Sequence, residues 1–299
     1  MQRSTIMQRL VLLTAIPVLA LILFSGELIW ESYGRYQSAI QAKSIMEIAV
    51  ATGDLIHPLQ IERGASAGLI QSKGQKFADT LPGIRAKTDE KLSAYKHLLA
   101  GIGAGAMPKL KAAVDDAEAK LAGLAELRAK ADRFSIPAGE SSAFFSATIA
   151  KLLVVINTST KYNSDAAIEK DMMNYLVFLN AKENAGQERA LSMPVFVANK
   201  VEPAQLLAIL AKIHQQEAYL ELFLNSATEQ EKTALRTVLG GEAAQEVQRM
   251  RGIMAERAAQ GGFEVDRRCG SSAAPTGSTA STKSSSWLRR ISIPTPQRC

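Results

Sequence analysis

The chain is poor in cysteine, in histidine and in aromatic residues, and each shortage removes a class of protein. Its two cysteines, Cys269 and Cys299, both follow Asp266, so the main body holds no disulfide framework and no cysteine metal site. The three histidines, His57, His97 and His214, have no ligand-like spacing, and no zinc or other metal is expected. No glycine-rich phosphate loop follows a strand pattern, because strand-like alternation is nearly absent. Nucleophile-elbow and paired-acid patterns are missing as well, so no enzyme active site and no cofactor are expected. Acidic charge is absent from the last stretch: after Asp266 come Arg267, Arg268, Lys283, Arg289, Arg290 and Arg298 and no Asp or Glu. Removing those six from the 35 Lys and Arg leaves 29, equal to the 29 Asp and Glu. The net charge of +6 thus belongs to the tail, the body is neutral, and nucleic-acid binding loses its main support.

What is present is apolar and helical. Hydrophobic residues make up 47% of the chain, with Ala and Leu dominant. Leu10–Trp30 carries one charge, Glu27, and has the roughly 20-residue length a bilayer crossing needs. Arg3 and Arg9 precede it and Glu27 and Glu31 mark its far end, so residues 1–9 are expected in the cytoplasm and the chain after Trp30 outside. A cleaved signal peptide is the alternative, but no small-x-small cleavage site follows the apolar run. The expected location is therefore the inner membrane, crossed once, with an extracytoplasmic body over residues 31–266.

That body reads as long helices in up-and-down bundles, two of four-helix type, an all-α architecture. Apolar spacings of three and four predict a helix from Ser38 to Gln71 continuing out of the membrane and kinked at Pro58. Further helices are predicted over Lys76–Leu99 (interrupted at Pro82-Gly83), Pro108–Arg133, from Glu140 through the apolar run Ala143–Ile156, Asp165–Ala198, Pro203–Ser226 and Thr228–Gln260. Ala143–Ile156 is too short and interrupted to span a bilayer and reads as a buried core helix.

Two segments echo each other. HPLQIERGASAG (57–68) and ENAGQERALS (183–192) share Glu-Arg-x-x-Ser inside small-residue helix. Arg and Ser at i and i+3 face one way, giving Arg63 with Ser66 and Arg189 with Ser192. Gly64 and Gly68, costing about 1 kcal/mol each against Ala, point to close approach of another helix. Two planar guanidinium forks from different helices could enclose a small oxyanion. On pattern alone, Arg63 and Arg189 paired with neighbouring glutamates on solvated faces is the favoured reading, because surface ion pairs are common and cheap.

The stretch Leu55–Leu99, with His-x-Leu-Gln-x-Glu-Arg-Gly-x-Ser-Ala-Gly, Lys-Phe-x-x-x-Leu and Arg-x-x-Thr-Asp, resembles the opening of the nitrate- and nitrite-sensing (NIT) domain. Ala181–Phe196 resembles that family's second motif, and the two frame residues from about 45 to 264. The resemblance implies a pair of helical bundles that binds nitrate or nitrite, sits outside the membrane ahead of chemotaxis, cyclase or kinase modules, and dimerises. It implies Arg63 and Arg189 as anion ligands with Ser66 and Ser192 as helpers. Pro58 departs from the family pattern, where a polar residue is usual. A membrane-tethered helical interaction module without small-molecule sensing is the rival reading, and an unstable, non-functional truncated product a third.

Residues 267–299 read as a disordered Ser/Thr/Pro-rich tail. The genetic code offers another explanation. Reading the third base of each codon with the first two of the next, Asp266/Arg267 permits Pro, Cys269/Gly270 permits only Trp or Arg, and Gly270/Ser271 permits Phe. Further on, Thr276/Gly277, Gly277/Ser278 and Ser278/Thr279 permit Arg, Ile and Asp. The hidden frame resembles how NIT domains end, which predicts a frame change near codon 266 that removed the output module.

Overall fold

The computed structural model describes residues 6–100, 107–162 and 165–263, and all the regular structure there is helical. The chain runs α1 (Ile6–Gln71), α2 (Leu81–Ala100), α3 (Pro108–Ala122), α4 (Leu124–Asp132), α5 (Ala138–Thr160), α6 (Ala166–Ala198), α7 (Pro203–Ser226), α8 (Glu229–Leu239) and α9 (Glu242–Glu256). The two cysteines and the tail after Asp266 lie outside the described residues.

At 66 residues, α1 is about 100 Å long. It divides into an exposed first half and a packed second half. Leu19, Leu21, Ile22, Leu23, Phe24, Ile29 and Trp30 stand open with no described part of the protein over them. From Ile45 on, apolar side chains at helical spacing (Ile45, Ile48, Leu55, Ile56, Leu59) turn inward and are buried. Pro58 lacks an N–H for the helix ladder, yet the helix continues through it.

The second half of α1 packs with α2, α3–α4 and α5 as a four-column bundle. Its core joins the α1 residues to Tyr95 of α2, Leu110, Ala117, Leu121 and Leu127 of α3–α4, and Phe145, Ile149, Leu152 and Ile156 of α5. By length and composition α5 could cross a bilayer, but those four apolar side chains are fully buried, as a core helix requires.

Asp165 caps α6, its carboxylate accepting from the N–H groups of Ala167 and Ile168. This helix packs on α1 and α5 and forms an antiparallel hairpin with α7, whose first helical residue is Pro203. Phe178 meets Phe223 with ring centroids 5.4 Å apart at one end of the hairpin. At the other end Val195 and Ile209 pack with Met254 of α9 and Phe263. Leu235 of α8 joins the Phe178–Phe223 cluster, so α8 and α9 return along the hairpin. Among the described residues this second unit has three columns rather than the four expected.

Two expected single helices are each two. The predicted 108–133 helix breaks at Gly123, where a Cβ would stand 3.0 Å from the Phe144 ring. The predicted 228–260 helix breaks at Gly240-Gly241. Pro82 opens α2 instead of interrupting it, since a first-turn N–H has no helical partner to lose.

Candidate functional site

Helices α1 and α6 lie side by side and run in the same direction. Contacts ascend together along both: Gly53 with the Tyr175 hydroxyl, His57 with Lys182, Gln60 with Glu183, and Gly64 with Arg189. This parallel register brings the two Glu-Arg-x-x-Ser segments to one level. Their glutamates serve alike. Glu62 is fully buried and accepts a two-nitrogen contact from Arg128 of α4 (Nε 2.7 Å, Nη2 2.9 Å). Glu188 is buried and accepts the same from Arg251 of α9 (Nε 2.7 Å, Nη2 2.5 Å). Each glutamate therefore ties its helix to another column, and neither is a partner for the arginine beside it.

The arginines differ. Arg63 is only 2% exposed and crosses to α6, where Nη1 and Nη2 donate to the two oxygens of Glu183 at 2.5 and 3.3 Å. Its Nη1 also donates to the hydroxyl of Ser146 on α5, at 2.8 Å. Gln60 and Gln187 each donate an amide N–H to Glu183, at 2.9 and 2.8 Å. The passage of Arg63 depends on Gly186: a Cβ there would stand 2.6 Å from Nη2.

Arg189 makes no hydrogen bond and no ion pair among the described residues. Its Nη2 stands 3.8 Å from where a Cβ on Gly64 would be, which places the guanidinium against α1. Burial, and next the positive charge of Arg63, lower its pKa. The side chain nevertheless keeps solvent-accessible surface. The residue is exposed, so its guanidinium lies along α1 with an open side toward solvent. Arginine remains charged under such a shift.

The reading of both arginines as paired on solvated faces fits neither: Arg63 is paired but buried, and Arg189 is unpaired. Ser66 is buried one turn after Arg63 and Ser192 is half-buried one turn after Arg189. Neither hydroxyl makes a side-chain hydrogen bond among the described residues. The hydroxyl that meets Arg63 is Ser146, which no sequence motif marked.

The glycines need correction. Gly68 receives the ring of Phe77, from the α1–α2 connection, and Gly64 faces a side chain at ordinary contact distance. They do not form a backbone-to-backbone helix crossing, because a ring and a guanidinium fill those spaces. Gly53, under the Tyr175 hydroxyl, and Gly186, under Arg63, are the close approaches between α1 and α6.

Beside this cluster, Lys182 Nζ lies 3.0 Å from His57 Nδ1. Burial first, then the charges of Lys182 and Lys87, bring the His57 pKa down to about 4, so the ring is neutral and accepts. Burial lowers Lys182 to about 8, and Glu183 acts against that shift. Among the described residues no three His, Cys, Asp or Glu side chains gather as metal ligands.

Two arginines and one glutamate from parallel helices thus meet at one level, with the Lys182 ammonium beside them, which defines an all-helical two-unit module with a guanidinium cluster between its units. The chain belongs to the NIT family, described as nitrate and nitrite sensing, whose model matches residues 54–292. The nitrate regulatory protein of Klebsiella oxytoca is 30% identical over 169 residues, which are 56% of this chain. Those residues are 43% of that relative, so the chain spans less than half of its length. The solved structure of the NasR transcription antiterminator overlays with a TM-score of 0.70 at 24% identity, over 80% of this chain and 65% of that one. At that identity the likeness establishes the shared fold.

Proposed function

We propose that this chain captures nitrate or nitrite between α1 and α6, with Arg63 and Arg189 as the anion's ligands and Ser66 and Ser192 as nearby hydroxyl donors. One observation carries the reading: Arg189 is an always-charged fork, open to solvent, with no hydrogen bond or ion pair among the described residues and a second guanidinium, that of Arg63, beside it. Arg63 is neutralised by Glu183 but Arg189 has no counterion among the described residues, so an anion beside it relieves the repulsion between the two guanidinium groups. The unneutralised charge of Arg189 suits an anion, and a planar oxyanion suits paired N–H donors. The family to which the chain belongs supports the choice of nitrate or nitrite.

The same reading makes the protein a sensor tied to the cytoplasmic membrane. The apolar first half of α1, with Leu19 to Phe24 and Leu28 to Trp30 exposed, is the anchor, and the helical body lies outside as a homodimer. It is a sensor part that here lacks the output module, such as that of a chemotaxis receptor, which the uninterrupted frame would add. Because α1 is continuous from the anchor to Arg63, a shift of about 1–2 Å at the site can pass directly along it.

The test is thermal unfolding of the full chain in mild detergent with sodium nitrate, nitrite or chloride. A ligand that binds only the folded state stabilises by RT ln(1 + [L]/Kd), about 2.7 kcal/mol at one hundred times Kd. Nitrate or nitrite, but not chloride, raises the midpoint, and Arg189→Ala abolishes the rise. A cooperative transition indifferent to all three salts refutes the reading and favours an interaction module.

A further inference from the structure

The carboxylate of Glu183 stands where an oxyanion would have to go. It takes the Nη1–Nη2 edge of Arg63, one of the two edges at which a guanidinium offers a pair of roughly parallel N–H donors. A carboxylate and a nitrate or nitrite ion are all planar, with oxygens spread around a trigonal or bent centre. They therefore compete for the Nη1–Nη2 edge. The other two-donor edge, Nε–Nη2, is the poorer substitute, because its Nη2 lies against Gly186 and already donates to Glu183.

Glu183 is also equipped to survive the loss of Arg63. Gln60 donates to one of its oxygens and Gln187 to the other, so a displaced carboxylate keeps two amide donors from two helices. Arg189, which has no such competitor, lies against Gly64 within the field of Arg63 and is open to solvent. An incoming anion can meet Arg189 first and then draw Arg63 from Glu183.

We propose that Glu183 is a built-in competitor for the anion: capture exchanges the Arg63–Glu183 ion pair for an Arg63–anion–Arg189 bridge and frees α6 from its strongest polar tie to α1. This rests on the reading of Arg63 and Arg189 as an oxyanion site. Two consequences follow. The intrinsic affinity of the two arginines is higher than the observed affinity, because part of it is spent on breaking a buried pair. Ligand binding is also coupled to the α1–α6 contact, since the atoms that leave Arg63 belong to α6. An equilibrium that both the ligand and Glu183 bias is what a switch requires.

The experiment is isothermal titration of sodium nitrate and sodium nitrite into the full chain in mild detergent, wild type beside Glu183→Gln, Glu183→Asp and Arg189→Ala. Glu183→Gln removes the competing charge and lowers Kd by about tenfold, the worth of one charged hydrogen bond. Glu183→Asp keeps the charge but draws the carboxylate back by one methylene, and it lowers Kd by a smaller factor. This second variant retains a buried counterion and decides the matter if the Gln variant fails to fold. It also separates competition from the general field of a nearby negative charge, which the Asp variant leaves in place. A gain in Glu183→Gln with none in Glu183→Asp overturns the competitor. So does an unchanged or weaker Kd in both folded variants while the wild type binds and Arg189→Ala does not; that result leaves the site itself standing. No binding by any of the folded proteins removes the site and the competitor together.

Discussion

Arg63 and Arg189 hold matching places in two copies of one motif, yet their removal should affect the fold very differently. In Arg63→Ala the carboxylate of Glu183, only 4% exposed, loses its cation. Breaking a buried pair from one side costs about 3–5 kcal/mol, because the remaining charge is left desolvated. The two glutamine amides on Glu183 place this case at the lower end of that range. Arg189→Ala removes no hydrogen bond and no ion pair, and it relieves the charge of Arg63, so the change stays within about 0.5 kcal/mol. Urea unfolding of the full chain in mild detergent, followed by far-ultraviolet circular dichroism without added nitrate, measures both. With a slope of about 3 kcal/mol per molar urea, Arg63→Ala lowers the midpoint by about 1 M, and Arg189→Ala leaves it in place. Adding Glu183→Gln to Arg63→Ala should restore most of the loss, since no buried charge then lacks a partner. Equal losses for the two single variants, or a larger one for Arg189→Ala, would refute the assignment of the pair to Arg63 alone.

Two further outcomes are expected. His57 has a folded pKa of about 4, below its ordinary 6.5, so the unfolded chain binds the proton more readily. Its contribution to stability is complete above pH 6.5 and is lost as the pH falls toward 4. Nitrogen NMR of the imidazole should show His57 neutral at pH 6, and a midpoint at or above 6 would contradict its burial against Lys182. Sequencing the gene across codon 266 should reveal an alternate frame encoding Trp-Phe and then Arg-Ile-Asp, while an unrelated alternate frame would end the idea of a frame change.

The fold was largely legible because helices announce themselves locally. Asp165 as a cap, Pro203 as a first-turn residue and the inward repeat of Ile45, Ile48, Leu55, Ile56 and Leu59 all act within a few residues along the chain. The breaks at Gly123 and Gly240-Gly241 were not, because apolar periodicity continues across them. A glycine within such a pattern shows only a cost of about 1 kcal/mol, not whether a ring such as that of Phe144 comes to rest on it.

By itself the sequence determined that the chain is helical, that its acidic and basic charges balance over the body, and that two Glu-Arg-x-x-Ser segments recur. These follow from spacing and composition, which need no knowledge of what lies opposite. What each charge meets depends instead on how the helices pack. Glu183 lies in the second quoted segment, six residues from Arg189, but on a helix that interval turns it to a different face. Its partner is Arg63, 120 residues away on a parallel helix, reached through the gap left by Gly186. Ser146 and Arg128 likewise join α1 from separations of 83 and 66 residues. Ion pairs are fixed by which faces the packed helices present to one another, and apolar burial across the whole bundle sets those faces. Two identical motifs could therefore end with one arginine neutralised and the other free.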